Sequence, residues 1–504
     1  MPNQFAFVVV GDSGKTRSAD RSVIRSRCMQ GKNKQEGSRR SLQAVRKALK
    51  TPGSSQTVEH ERGFRSNTSN SSGSPVDNPP RTRRARRYRQ LPTTEDSPED
   101  DLIAVEVPAP SLPPTDISLV HFADDLERPS QEVLFRLLAS ATLKETFYPV
   151  EHIVNLPRSP NSEALSFSWI LQDQIFLHSI LFCSSAIQDR TKYAPSGKLT
   201  QFHLRRTISL LNKSLSQKNS HENEAIFHVI LTLAMIASLW GDHDSAGVHL
   251  SGLQQIVRLR GGLEYLHRFP KLHFKLDRLA LTWALGSGGI PSFFTGPVSW
   301  SSYFERSFEA RTDTIEAGLI EVFADKRLAV VFRDLRHLVW LVNNHLANNS
   351  RLDGVLFQDC LGFVQARLVH LQGDLEDASD ECLRLGMLAF LSTTLQIPGG
   401  KFPYAYLAAT FRMACQNFIT LTPVHEQLLF WMLIVGSISV FEPDEPCLRP
   451  LWLRLAHPRL SWHEARSNLQ TIMWVDSMHG TMGQSAFSKA RELGNRVTEA
   501  LQES

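Results

Sequence analysis

The sequence predicts an all-α body, built as stacked antiparallel helix pairs and preceded by a mostly disordered basic arm. Three observations carry that expectation. From about Thr115 onward, apolar residues recur at spacings of three and four, the period of a helix with one buried face. No run there alternates apolar and polar residues as a half-buried strand does, and Asp353-Gly354 is an isolated hairpin signal. Finally, the net charge of +4 over 504 residues is a sum of opposites. Residues 1–90 hold 20 Lys and Arg against 6 Asp and Glu, a net +14, whereas residues 91–504 hold 35 against 45, a net −10.

With 42% hydrophobic and 21% charged residues, the chain as a whole is neither disordered, collagen-like nor a small disulfide scaffold. Composition divides it into three parts. Residues 1–50 form a basic segment with a short apolar start, Phe5–Val10. Residues 51–115 read as a disordered linker: 51–80 contain 17 Pro, Gly, Ser or Asn among 30, too little apolar surface to offset the entropy of ordering. Within this linker Arg81, Arg83, Arg84, Arg86, Arg87 and Arg89 crowd into nine residues, followed by an acidic stretch (95–101) and Pro108, Pro110, Pro113 and Pro114. Residues 116–504 form the helical body.

Inside the body, Ala225–Leu239 is almost wholly apolar and stops at Gly241. After Asp242 the stripe Ala246, Leu250, Leu253, Val257 begins, and Gly261-Gly262 ends it. So short a connection predicts an αα-hairpin. Further helical patterns fall at Leu171–Ile187, Leu204–Leu215, Leu328–Leu346, Val364–Leu371, Cys382–Leu395, Tyr404–Phe418, Leu428–Val440 and Ala486–Leu501. A Gly-, Ser- and Phe-rich stretch (286–303) and the break Ile397-Pro-Gly-Gly400 divide them into two or three subgroups.

The cysteines, Cys28, Cys183, Cys360, Cys382, Cys415 and Cys447, lie at least 22 residues apart, so no local zinc cluster or redox dithiol can form. They read as reduced thiols of an intracellular protein. The longest apolar runs, Ile226–Trp240 and Leu428–Phe441, are too short to span a bilayer and read as buried helices, so no membrane association is expected.

Catalytic patterns fail one by one. Phe7–Thr16 resembles a phosphate-binding loop, but two residues rather than four separate Gly11 from Gly14, and no parallel strands follow. His-Glu occurs at 60–61, 221–222, 425–426 and 463–464, never with a second histidine four residues on. His243 and His249 beside Asp242 and Asp244 suggest a metal site, although a helix-capping aspartate explains the same residues better. No nucleophile elbow occurs, and Gly286–Gly289 reads as a loop. The expectation is therefore no catalytic, cofactor-binding or metal site.

The arginine block admits three readings: a nuclear import signal, a counterion-releasing contact with nucleic acid, or a solvated charge run. Import is favoured, since Tyr88 is the single aromatic nearby and base stacking has little to use. A looser basic patch runs from Arg27 through Lys50.

The segment Glu224–Leu263 resembles the middle of the fungal-specific transcription factor domain, the helical regulatory region of fungal zinc-cluster regulators. The resemblance rests on Trp240, Gly241, His249, Leu250, Gly252, Leu253, Arg260, Gly261 and Gly262, which form a "His-Leu-x-Gly-Leu" helix and an "Arg-Gly-Gly" stop. Leu276–Phe293 and Leu429–Gly436 agree with it, as does the opening Phe5–Lys32. It implies a nuclear transcriptional regulator whose partners are an import receptor, the transcriptional machinery or another regulator. The alternative is a cytoplasmic scaffold or small-molecule-sensing protein of the same descent. The sequence departs from the family where a zinc cluster needs six cysteines, for the N-terminal window holds Cys28 alone. Direct DNA contact is accordingly a secondary expectation. Gly252 is expected to allow close helix packing, and Gly261-Gly262 to supply a left-handed cap.

Overall fold

A computed structural model describes residues 121–139, 149–155, 172–192, 195–291, 293, 297–304, 318–394, 400–456 and 460–503. The segments 1–50 and 51–115, with Phe7–Thr16 and Arg81–Arg89, lie outside the described residues.

The body is all-α. Its helices are α1 (Arg128–Ala139), α2 (Gln174–Thr191), α3 (Lys198–Leu215), α4 (Glu224–Leu239), α5 (His243–Leu259), α6 (Leu263–His267), α7 (Pro270–Ser287), α8 (Lys326–Ala347), α9 (Gly354–His370), α10 (Ala378–Ser392), α11 (Ala405–Asn417), α12 (Pro423–Ser439), α13 (Arg449–Leu455), α14 (Trp462–Ile472) and α15 (Asp476–Glu503). Extended structure among the described residues is confined to β1 (Val154–Asn155) and β2 (Leu352–Asp353), paired in parallel with Val154 opposite Leu352. Consecutive helices pack as pairs: α2 on α3, α4 on α5, α8 on α9 and α10 on α11.

Their boundaries follow from local chemistry. Carboxylates of Asp173, Asp242, Asp325, Asp353 and Asp377 accept backbone N–H groups at the starts of α2, α5, α8, α9 and α10, satisfying donors that have no partner within the helix. Ser461 and Glu464 form a reciprocal capping box at α14. Proline occupies the first turn of α7, α12 and α13, where its missing N–H costs nothing.

Most of the apolar patterns mark real helices, with two extensions and several additions. α9 begins well before Val364, and α15 begins well before Ala486. The sequence pattern does not single out α1, α6, α7, α13 or α14. The omission of α7 has a physical cause: Leu272, Phe274, Leu276, Leu279, Leu281 and Leu285 are all buried, so it presents no single stripe. It packs against α4, α5, α9 and α11, and so is enclosed by both halves of the body.

The division into subgroups expected from the breaks near 286–303 and 397–400 is not found in the core. A single apolar cluster runs from Val150 through Phe227, Leu276, Phe332, Leu388 and Trp431 to Phe487. A separate small cluster, Val133, Leu134, Phe176, Leu177 and Leu181, fixes α1 on α2. No helix among the described residues is long and apolar enough to cross a membrane.

Candidate functional site

The α4–α5 hairpin carries the residues on which the family resemblance rests, and its turns are built from backbone geometry. Trp240 caps α4, exposed at the surface. Gly241 follows at φ +74°; its N–H donates to Ser238 O (3.1 Å), and the N–H of Asp242 donates to Ala237 O (2.9 Å). These are the paired bonds of a Schellman stop, and φ in this region favours glycine. Asp242 then opens α5, its Oδ1 accepting from the Ser245 N–H at 3.0 Å. One residue thus closes one helix and starts the next.

The same motif ends α5. Gly261 (φ +106°) donates to Arg258 O at 3.3 Å, and Gly262 (φ +76°) to Val257 O at 2.9 Å. Between them and the helix, Arg260 acts as a clamp. Its Nε donates to the His221 carbonyl and its Nη1 to the Tyr265 hydroxyl; Nη1 also lies 3.6 Å from Glu224 Oε1. Tyr265 donates in turn to Glu224 (3.1 Å), and the guanidinium sits 5.0 Å from the Tyr265 ring centroid. The arginine of Arg-Gly-Gly therefore ties the end of α5 to the start of α4.

Leu250 and Leu253 are core residues, and burial pushes the half-buried His249 imidazole down to about 4. Gly252 departs from expectation: beyond its own helix, a Cβ there would meet nothing within 4 Å. Close approach occurs instead at Gly247, where a Cβ would lie 2.9 Å from Trp283 Nε1, and at Gly286, where it would collide with the His243 ring. The Trp283 indole N–H donates to the His243 carbonyl at 2.9 Å and locks α7 to α5. Among the described residues, no group of three or more His, Cys, Asp or Glu is arranged to hold an ion.

Between α4 and α7 lies a cavity of about 30 Å³. It is lined by the apolar Leu231, Met235, Leu279 and Phe402 and by the polar Ser238, Lys275, Arg278 and Thr282. Arg278 donates through Nη2 to the Thr394 carbonyl, and its guanidinium lies 5.0 Å from the Phe274 ring centroid. The Lys275 and Arg260 charges add to burial in driving the His228 imidazole down to about 3. Sequence reading missed this cavity, because its two cations stand on α7, the helix without a legible stripe.

A second polar cluster joins α1, α2 and α3. Ser130 Oγ lies 3.0 Å from His203 Nε2, the two Nδ1 atoms of His203 and His178 are 2.9 Å apart, and His178 Nε2 is 3.1 Å from Asp124 Oδ2. Arg206 completes the chain on Asp124 at 3.1 Å. Burial lowers both imidazoles, His203 to about 4, and the His178 hydrogen bond holds Asp124 below the usual carboxylate range. With both rings neutral, a single direction satisfies every atom: Ser130 donates to His203, His203 to His178, and His178 to Asp124. The arrangement mimics a nucleophile and its base, but Ser130 is only 3% exposed, and the chain works as a polar tether for α1. His178 and His203 stand 25 residues apart on two helices, so no local motif announces them.

The fold defines an all-helical domain of paired helices, organised around the α4–α5 hairpin and α7. Residues 145–287 match the family model of the fungal specific transcription factor domain. The match closes on the last residue of α7 and contains the whole segment Trp240–Gly262. That family is defined by a transcription factor domain and is not an enzyme class. No curated protein and no solved structure matches the chain.

Proposed function

We propose that this protein is a nuclear regulator of fungal transcription that acts through its helical body, without a zinc-cluster DNA reader of its own. The observation that carries the reading is the match of residues 145–287 to the fungal specific transcription factor domain. Supporting it, core residues between Phe304 and Ala490 belong to the same apolar cluster as those of the matched segment. The arm, with its net +14 and six arginines at Arg81–Arg89, suits an acidic groove on an import receptor. Cys28 as the single cysteine of the first 180 residues argues against a binuclear cluster in that stretch. Recruitment to genes then falls to protein partners, the transcriptional machinery or another regulator, with direct DNA contact by the arm as the lesser route.

Two measurements test this. Chromatin occupancy of the intact protein is compared with that of a version lacking residues 1–90 but carrying a foreign import signal; occupancy that survives places recruitment in the body. A fluorescent fusion lacking Arg81–Arg89 should lose nuclear enrichment. Exclusion of the intact protein from nuclei would reject the reading in favour of a cytoplasmic scaffold.

A further inference from the structure

α1 and the residues just before it are held differently from the rest of the body. The main apolar core takes no residue from α1; Val133 and Leu134 belong instead to the separate cluster with Phe176, Leu177 and Leu181 of α2. α1 packs chiefly on α2. Among the described residues, three polar contacts tie 121–139 to α2 and α3: Ser130 to His203, Asp124 to His178, and Asp124 to Arg206. The apolar anchor is small, so these polar contacts weigh heavily in whether α1 stays docked.

Two of the three contacts end on the imidazole pair, whose residues are 2% and 1% exposed. The two Nδ1 atoms meet at 2.9 Å, a distance that one proton bridges. A first added proton, on His203 Nε2, can be accommodated, since the Ser130 hydroxyl accepts as readily as it donates. A second finds no place. Both Nδ1 atoms would then carry hydrogens aimed at each other, on two like charges shut away from water. Neighbouring groups do not remove the conflict. Burial disfavours charge on both rings; Asp124, just before α1, favours it on His178, Arg206 of α3 opposes it there, and His178 opposes it on His203. Phe202 of α3 sets its ring edge-on to both imidazoles and offers no acceptor.

We infer that α1 is an acid-released strap: double protonation of the His178–His203 pair breaks its tether to α2 and α3, uncovering Phe176, Leu177 and Leu181 while the main core stays folded. Once α1 lifts, each ring faces water and charges at about 6.5. Docking is therefore at full strength above pH 6.5 and weakens as the pH falls, about tenfold per unit for each proton the docked pair excludes. The strap requires nothing of the protein's role in transcription, which chromatin occupancy tests separately.

The test is hydrogen–deuterium exchange of the full chain from pH 7.5 to 5.0, with rates corrected for the pH dependence of free amide exchange. Amides of α1 should lose protection from pH 6.5 downward, between about tenfold and a hundredfold per unit, while those of α12 in the main core keep theirs to lower pH. Ser130→Ala removes a contact but no titrating group; it should speed α1 exchange at every pH and leave the slope unchanged. His203→Gln removes one titrating ring and should cut the slope to about tenfold per unit or less. If α1 is already open in that variant at pH 7.5, NMR titration of the parent's imidazoles decides: both rings should charge at the pH at which α1 opens. Parallel loss of protection in α1 and α12, or a slope that His203→Gln leaves unchanged, would overturn the strap. So would either ring charging at 6.5 with α1 still docked.

Discussion

Asp334 and Arg367 show how much a single buried contact can hold. Their side chains are 1% and 0% exposed and meet at 2.5 Å, joining α8 to α9. Asp334 also accepts from Ser302 Oγ (2.6 Å) and the Tyr303 N–H (3.0 Å), and Arg367 donates to the Ser301 carbonyl (3.3 Å). The pair thereby fastens the segment after α7 to the second half of the body. Desolvation consumes much of the attraction between two such charges, but removing one leaves the other buried and unmatched. Asp334→Asn should therefore cost about 3–5 kcal/mol in equilibrium urea unfolding. Asp334→Leu combined with Arg367→Met should recover most of that loss. In the sequence, Asp334 lies in Arg333-Asp334-Leu335 and looks like an ordinary surface charge of an amphipathic helix. Nothing local reveals that its partner is 33 residues away.

The α4–α5 hairpin is the element most legible in advance, because its signals are local. Apolar spacing gives the two helices, and glycines at positive φ give the two Schellman stops. Reading a role for Gly252 was less successful, since close approach depends on which neighbour faces a residue. These glycines should separate experimentally. Gly262→Ala, at φ +76° and ψ −146°, enters a region that side chains avoid and should cost about 1–3 kcal/mol by thermal melting. Gly252→Ala meets open space in a regular helix and should be neutral or stabilise by up to about 1 kcal/mol. A large loss at Gly252 would reject the open-space assignment.

Across the whole molecule, buried imidazoles set the response to acid. Burial is the leading cause that lowers His203, His249 and His273 to about 4 and His228 and His479 to about 3, from an ordinary 6.5. The unfolded chain takes up these protons near pH 6.5, and the folded chain resists until far lower. Their stabilisation is thus complete above pH 6.5 and declines as the pH falls towards 4, at about 1.4 kcal/mol per unit for each group. Asp277 works in the opposite sense: burial and the nearby Asp359 raise it to about 8, so its contribution grows as the pH falls from 8 towards 3.8. Burial also raises Asp359 and Asp380 and lowers His178, and three acids against six imidazoles still leave a net loss. Melting temperature measured from pH 7.5 to 4.5 should fall from about pH 6.5 downward, and a flat profile to pH 5 would contradict the burial of these rings.

By itself the sequence determined the helical class, the α4–α5 hairpin with its caps, the charge asymmetry and the family likeness of the segment around that hairpin, because periodicity, glycine stops and short motifs are written within a few turns of chain. Tertiary structure alone decided the central place of α7, the single core that joins helices across the Gly- and Pro-rich breaks, the tether of His178 and His203, and the cavity around Ser238. Each of those depends on which faces meet across tens to hundreds of residues, and burial on several sides erases the one-faced pattern that makes a helix readable.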